Sequence, residues 1–163
     1  MPFMPHKIYL GVGSNIGDRH AHLDAAASSL APSVLVLRRS AIYETAPWGF
    51  TDQPAFLNQV LEAETDLAPK ALLAHLKATE KVLGRRTRFK NGPREIDIDI
   101  LLIDDQVLAE AGLQVPHPGL HERAFILAPL ADLVPDLVIP SQAQTVKQLL
   151  AAADRSGVEP YRG

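Results

Sequence analysis

One stretch of nine residues, Glu95-Ile-Asp-Ile-Asp-Ile-Leu-Leu-Ile103, constrains the fold more than any other. Acidic and apolar residues alternate strictly over its first six positions, the period of a β-strand with one face turned to a core. Ile96, Ile98 and Ile100 form the core row, while Asp97 and Asp99 project together from the other face, their α-carbons roughly 7 Å apart. A chain with this strand must build an apolar layer against one side and accommodate two like charges on the other. Such neighbours cost energy unless something positive lies between them. A divalent cation is the simplest answer, because Mg²⁺ usually takes one or two carboxylates and keeps water and phosphate oxygens. A solvated strand face is the alternative.

The other elements complete an α+β pattern. Residues 7–13 are short, partly β-branched and end in glycines, which predicts a buried strand closing in a turn over 14–18. Asp18 then caps a helix with Leu23, Ala26, Ala27 and Leu30 on one face, and Pro32 stops it. Residues 34–43 and 56–65 supply two strands. The connection between them, residues 44–55, is long for a compact domain and of the kind that carries function. A helix over 69–83 has Pro69 at its start and Gly84 just past its end. Asp104-Asp105 turns the acidic strand, and residues 122–130 and 145–153 read as short helices. The order strand, helix, strand, strand, helix, strand predicts an α+β fold: a ferredoxin-like three-layer α-β-α sandwich with a mainly antiparallel sheet and C-terminal additions. Residues 1–163 are expected to form a single domain.

Composition narrows the chemistry. With no cysteine, a thiol nucleophile, a disulfide framework, an iron-sulfur cluster and a thiolate zinc site are all excluded, so any metal sits on oxygen or imidazole. No apolar run approaches the roughly 20 residues of a membrane span, and residues 1–7 lack an apolar segment followed by a cleavage site. A soluble cytoplasmic protein without membrane contact is expected. Gly11, Gly13 and Gly17 miss the dinucleotide fingerprint by one residue, and no GxxxxGK loop exists, so a nucleotide must be held by other means.

The formal charge of -3 conceals an asymmetry. Arg85, Arg86, Arg88, Lys90 and Arg94 place five of the 16 basic residues within ten positions, with no acid among them, against 19 acids in the whole chain. Guanidinium groups clamp phosphate oxygens in pairs, with magnesium bridging from the other side. A flexible surface loop or a nucleic-acid patch is the alternative. Arg94 lies close before Asp97, where a fixed guanidinium suits charge developing on a transferred phosphoryl group. Glu80 falls on the apolar stripe Leu73, Leu76, Leu83 and needs a partner, either a nearby arginine or a ligand hydroxyl. His117 and His121 are not aligned as a zinc pair, because Pro118 and Gly119 break the helix between them. His20 and His22 read as solvated.

The run Lys90-Asn-Gly-Pro-Arg94-Glu-Ile-Asp97-Ile-Asp99 carries a specific resemblance. It is similar throughout to the signature of the 6-hydroxymethyl-7,8-dihydropterin pyrophosphokinases of folate biosynthesis. Further matches are Gly13-Ser-Asn15, Tyr43-Glu-Thr45-Ala-Pro47, Phe56-Leu-Asn58, Leu83-Gly-Arg85, Val115-Pro-His117 and Arg123-Ala-Phe125, so the resemblance spans about residues 7–152. It implies transfer of pyrophosphate from ATP to the pterin hydroxymethyl oxygen, by in-line attack at the β-phosphorus with release of AMP. It further implies two Mg²⁺ ions on Asp97 and Asp99, with Asp97 also near the attacking hydroxyl, and phosphate clamping by Arg85 and Arg94. ATP would lie along Leu73, Glu80, Arg85, Arg88, Arg94, Ile100, His117 and Arg123, with Glu80 accepting from the ribose. The pterin would sit between Phe56 and Phe125 near Asp97, with Asn58 reading its polar edge and Thr45, Ala46 and Trp48 closing the slot. The implied partners are these two small molecules, without nucleic acid, for a monomer.

Three departures accompany the match. Asn91 stands where the family often has an aromatic, Pro118 where some members have tyrosine, and the basic loop is about one residue short, leaving both Arg86 and Arg88 as candidates for a second phosphate contact. Two other functions use the same residues: an RNA-binding module built on the sheet and basic loop, and a metal-dependent nucleotide hydrolase.

Overall fold

A computed structural model describes residues 5–47, 50–86 and 88–162. The central strand β1 (His6–Ser14) pairs antiparallel with β4 (Phe56–Thr65) on one side and β5 (Asp97–Ile103) on the other. The far side of β4 is shared along its length by β2 (Val34–Arg39) and β3 (Tyr43–Thr45), and β3 carries β8 (Val158–Pro160) on its outer edge. Helices α1 (Arg19–Ser29) and α2 (Pro69–Val82) cover one face, where Leu23, Leu30, Leu72 and Leu76 pack on Ile8, Leu10, Val12, Ile98 and Ile100. Helices α3 (Ala124–Leu133) and α4 (Val146–Ala152) cover the other, where Leu127, Leu130, Val146 and Leu149 meet Tyr9, Val60 and Leu101. The short hairpin β6 (Leu108–Glu110) and β7 (Leu113–Val115) packs beside β5. This is the expected ferredoxin-like α-β-α sandwich with an antiparallel sheet. No described helix is long and apolar enough to cross a membrane.

The caps agree with the sequence. Asp18 accepts from the Ala21 amide at the start of α1, and Thr145 and Gln148 form a reciprocal capping box on α4. The strict alternation of the acidic strand ends where the register with β1 slips between Tyr9 and Leu10, opposite Leu102 and Ile100. Leu101 is the extra residue of a bulge, so Leu101 and Leu102 both enter the α3 side of the core.

The expected strand over 34–43 is in fact two. Ser40 interrupts it: its amide donates to the Val60 carbonyl at 2.9 Å while its hydroxyl accepts from the Val60 amide at 2.9 Å. A side-chain hydroxyl thus takes a place in the ladder, a local competition that serine is suited to. The chain re-enters the sheet as β3, which delivers Thr45 and Ala46 to the α3 side. Helix α3 starts two residues later than expected, with Arg123 at its N-cap. The strands β6, β7 and β8 have three residues each, too short for any periodicity to announce them.

Candidate functional site

On the α3 side of the sheet, β1 presents Gly11 and Gly13 where a strand would ordinarily present side chains. A Cβ on Gly13 would lie 2.9 Å from Asn58 Oδ1, so only glycine leaves that space open. The result is a cavity of about 100 Å³ between sheet and helix. Gly11 and Gly13 line it together with Phe56 and Asn58 of β4, Thr45 and Ala46, Phe125 of α3, and Asp97 and Asp99 of β5. Asn58 donates to the Thr45 hydroxyl at 2.8 Å, which fixes the orientation of its amide. Trp48, expected at the same slot, lies outside the described residues.

Beside the cavity, Asp97 accepts one hydrogen bond from Arg85 and one from Arg94, each at 2.9 Å. Arg85 also reaches Glu80 at 2.9 Å, and the second Glu80 oxygen accepts the Ile98 amide at 2.7 Å. Glu80 is only 2% exposed. Its partners are therefore the arginine anticipated as one alternative and, in addition, Lys77 at 3.5 Å and the backbone of β5. Burial raises the Glu80 carboxyl above its ordinary value, with the Ile98 amide and Lys77 opposing. At Asp97 burial also opposes ionisation, but the Arg94 and Arg85 guanidiniums outweigh it and hold the carboxyl below the usual range. Asp99 has no ion pair among the described residues; burial, then the charge of Asp97, push its carboxyl up to about 7.

The basic loop is shaped by its own ion pair. Arg88 grips Glu95 with both terminal nitrogens, at 2.6 and 2.7 Å, and those bonds hold Glu95 down at about 2. Arg86 and Lys90 make no ion pair among the described residues and line a groove of about 440 Å³ with Arg85, Arg88 and Arg94. Buried Asn15 ties this loop to the 46–55 connection. Its Oδ1 accepts the Arg94 amide at 2.8 Å, and its Nδ2 donates to Gln53 at 2.8 Å and the Pro54 carbonyl at 3.0 Å. Gln53 in turn donates to the Asn91 carbonyl at 2.8 Å. Phe50 and Phe89 meet edge to face across the same gap, 4.8 Å between centroids.

A third opening of about 310 Å³ runs past Leu73, Lys77, Ile100, Gln114 and His117 and ends at Asp99. His117 Nδ1 accepts the Gly119 amide at 3.0 Å, which leaves the proton on Nε2. Burial, then the Arg123 charge, keep this imidazole neutral by lowering its pKa. The Arg123 guanidinium stands 6.0 Å over the Phe125 ring. Asp97 and Asp99 both line the slot, Asp99 also lines the third opening, and the cationic groove reaches the pair through Arg85 and Arg94, which line it and bond Asp97. The donor set suits a hard ion: no group of three or more His, Asp or Glu side chains is assembled among the described residues, so an ion on this pair must complete its shell with water or substrate oxygens, as Mg²⁺ does.

Several contributors were not legible in the sequence. Gly11 and Gly13 read as the end of a strand, as a near miss to a dinucleotide fingerprint and, at Gly13, as part of the family match, but not as the floor of a slot; the usable signal is that, two apart on a strand, both fall on one face. Lys77, which lines both the cationic and the third groove, sits one helical turn before Glu80 and was visible by spacing. His22 is not solvated as expected: its ring meets the buried Ser14 hydroxyl at 3.1 Å.

Comparison with known proteins agrees with this geometry. The family model described as 7,8-dihydro-6-hydroxymethylpterin-pyrophosphokinase matches residues 9–135. A 2-amino-4-hydroxy-6-hydroxymethyldihydropteridine pyrophosphokinase of Methylorubrum extorquens is 46% identical over 155 residues, covering 94% of this chain and 97% of the relative. The protein of the same name from Aquifex aeolicus is 45% identical over 141 residues, 86% of this chain and 88% of the relative. Among solved structures, the HPPK-DHPS protein of Plasmodium falciparum superimposes with a TM-score of 0.76 at 16% identity, over 93% of this chain. The chain spans 46% of that longer protein, and the likeness concerns the fold alone.

Proposed function

The chain belongs to the 7,8-dihydro-6-hydroxymethylpterin-pyrophosphokinase family, and on that footing we propose how its residues divide the reaction. It is an enzyme of folate biosynthesis that transfers pyrophosphate from ATP to 6-hydroxymethyl-7,8-dihydropterin, giving the pterin diphosphate and AMP. The observation that carries the assignment of roles is that two openings meet at Asp99, while Arg94, hydrogen-bonded to Asp97, lines both the slot and the cationic groove.

The pterin occupies the slot floored by Gly11 and Gly13, between Phe56 and Phe125, with the Asn58 amide facing its polar edge and Thr45 and Ala46 beside it. The Thr45 hydroxyl holds Asn58 in one orientation, so recognition requires little reordering. Trp48 is proposed to close the slot. ATP lies along Leu73, Ile100 and His117, its triphosphate running toward Arg85, Arg94 and Arg123. His117 offers an N–H from Nε2 without a charge to be neutralised. Glu80 is proposed to accept from the ribose while it holds Arg85. Because Arg88 is committed to Glu95, it shapes the loop as well as flanking the phosphates, and Arg86 and Lys90 are the groove's spare cations. Two Mg²⁺ ions on Asp97 and Asp99 would supply charge neutralisation of the triphosphate.

When substrates arrive, Arg85 and Arg94 turn their free N–H groups to phosphate oxygens while staying beside Asp97, which faces the pterin hydroxyl with a carboxylate that these guanidiniums keep ionised. It is the candidate acceptor of the hydroxyl proton. Most of the rate comes from alignment and fixed charge, since phosphoryl transfer asks for little else of a protein. The enzyme is proposed to act as a monomer in the cytoplasm. Asp97→Ala tests the assignment: turnover should be nearly abolished with the circular dichroism spectrum intact, and near-normal turnover would remove Asp97 from the reaction.

A further inference from the structure

Residues 154–161 lie beyond the stretch that matches the family model, yet they join the two walls of the slot. At one end, Asp154 makes an isolated parallel bridge with Arg123, two residues before the wall residue Phe125. At the other, β8 pairs with β3, Val158 opposite Thr45 and Glu159 opposite Glu44. The ladder extends past both strands: the Ala46 amide donates to the Gly157 carbonyl at 2.9 Å and the Tyr161 amide to the Ile42 carbonyl at 2.9 Å. Gly157 has a φ of +75°, and a Cβ there would come within 3.1 Å of Ala46 Cβ. Tyr161 lies over the Arg19 guanidinium at 5.7 Å. Arg19 in turn donates to Glu44 of β3 at 2.7 Å and to the Ala55 carbonyl at 3.0 Å, at the two ends of the 44–55 connection.

We infer that residues 154–161 form a positioning strap that sets the width of the pterin slot, acting through Ala46, Thr45 and Arg19. β3 pairs with β4 over only three residues, and β8 gives it a second partner where the Thr45 hydroxyl is held against Asn58. The Gly157–Tyr161 end of the strap contacts Thr45, Ala46, Ile42 and Arg19 and no residue assigned to ATP, so the contribution of that end is to pterin binding in the ground state and the transition state alike. It rests on the placement of the pterin proposed above.

The test is steady-state kinetics of Gly157→Val, Tyr161→Ala and Tyr161→Phe in the full chain, with Asn58→Ala as the control for the slot itself. Gly157→Val and Tyr161→Ala should each raise KM for the pterin about five- to tenfold while kcat and KM for ATP stay within about twofold, and Tyr161→Phe, which keeps the ring over Arg19, should behave as wild type. Melting temperatures measured alongside show that each variant is folded at the assay temperature. If Asn58→Ala raises pterin KM and the strap variants do not, the strap is overturned and the slot stands. An equal rise in KM for ATP, or a loss confined to kcat, also overturns it. If Asn58→Ala leaves pterin KM unchanged, the slot assignment itself is wrong.

Discussion

Replacing Asp99 with asparagine should make the metal-free protein more stable and catalytically dead. Asp99 shares its surroundings with ionised Asp97 and has no ion pair among the described residues, so its carboxyl is raised from 3.8 to about 7 by burial and by that neighbouring charge. A group raised in the folded state contributes stability below its ordinary value and loses it as pH climbs toward the folded value. At 1.36 kcal/mol per pH unit, the interval from 3.8 to about 7 sets a ceiling of about 4 kcal/mol on the penalty carried above pH 7. Water entering from the cavity and the adjoining groove reduces this to about 1–3 kcal/mol. Asparagine removes the charge, retains the shape, and its amide can replace the proton that Asp99 shares with Asp97. Urea unfolding in EDTA should show Asp99→Asn more stable than wild type by that amount at pH 8, with the difference shrinking as pH falls toward 4. Adding Mg²⁺ at pH 8 should stabilise wild type and leave Asp99→Asn unmoved. A variant no more stable than wild type at pH 8 would refute the idea that this strand carries an unrelieved negative charge.

Other outcomes follow from single contacts. Glu80→Ala leaves the Ile98 amide and one side of Arg85 without partners, and should cost about 3 kcal/mol in urea unfolding. Arg88→Ala should return the Glu95 carboxyl from about 2 toward its ordinary 4.5 in an NMR titration. A group lowered in the folded state stabilises above its ordinary value, so the acid side of the stability curve between pH 4.5 and about 2 should flatten in that variant. Arg94→Ala should lower kcat more than it raises KM for ATP; equal losses would assign Arg94 to substrate binding alone. Gly13→Ala places a methyl against Asn58 and should raise pterin KM about tenfold with ATP KM unchanged.

What was legible in the sequence was what a short window holds. The period-two strand showed Asp97 and Asp99 on one face, and the three-residue offset from Arg94 to Asp97 is a salt bridge in the structure. Glu80 announced its need of a partner because one helix turn suffices to show a carboxylate on an apolar stripe. The contacts that escaped join distant segments. Asn15 meets Arg94 79 positions away, and no local pattern records that β1 and the basic loop share an end of the sheet. The same holds for β8, three residues whose strand character comes wholly from pairing with β3. Gly11 and Gly13 became informative only once the face they leave bare was known to lie under Phe125. The split at Ser40 depends on a hydroxyl reaching Val60 across the sheet, which propensity along the chain does not encode.

The most direct measurement is AMP formation from ATP with and without 6-hydroxymethyl-7,8-dihydropterin, each in the presence of Mg²⁺ and of excess EDTA. AMP should appear only when pterin and Mg²⁺ are both present, in equal amount with the pterin diphosphate, and Asp97→Ala should abolish it. AMP produced at the same rate without pterin would make this a nucleotide hydrolase and contradict the assignment of the glycine-floored slot.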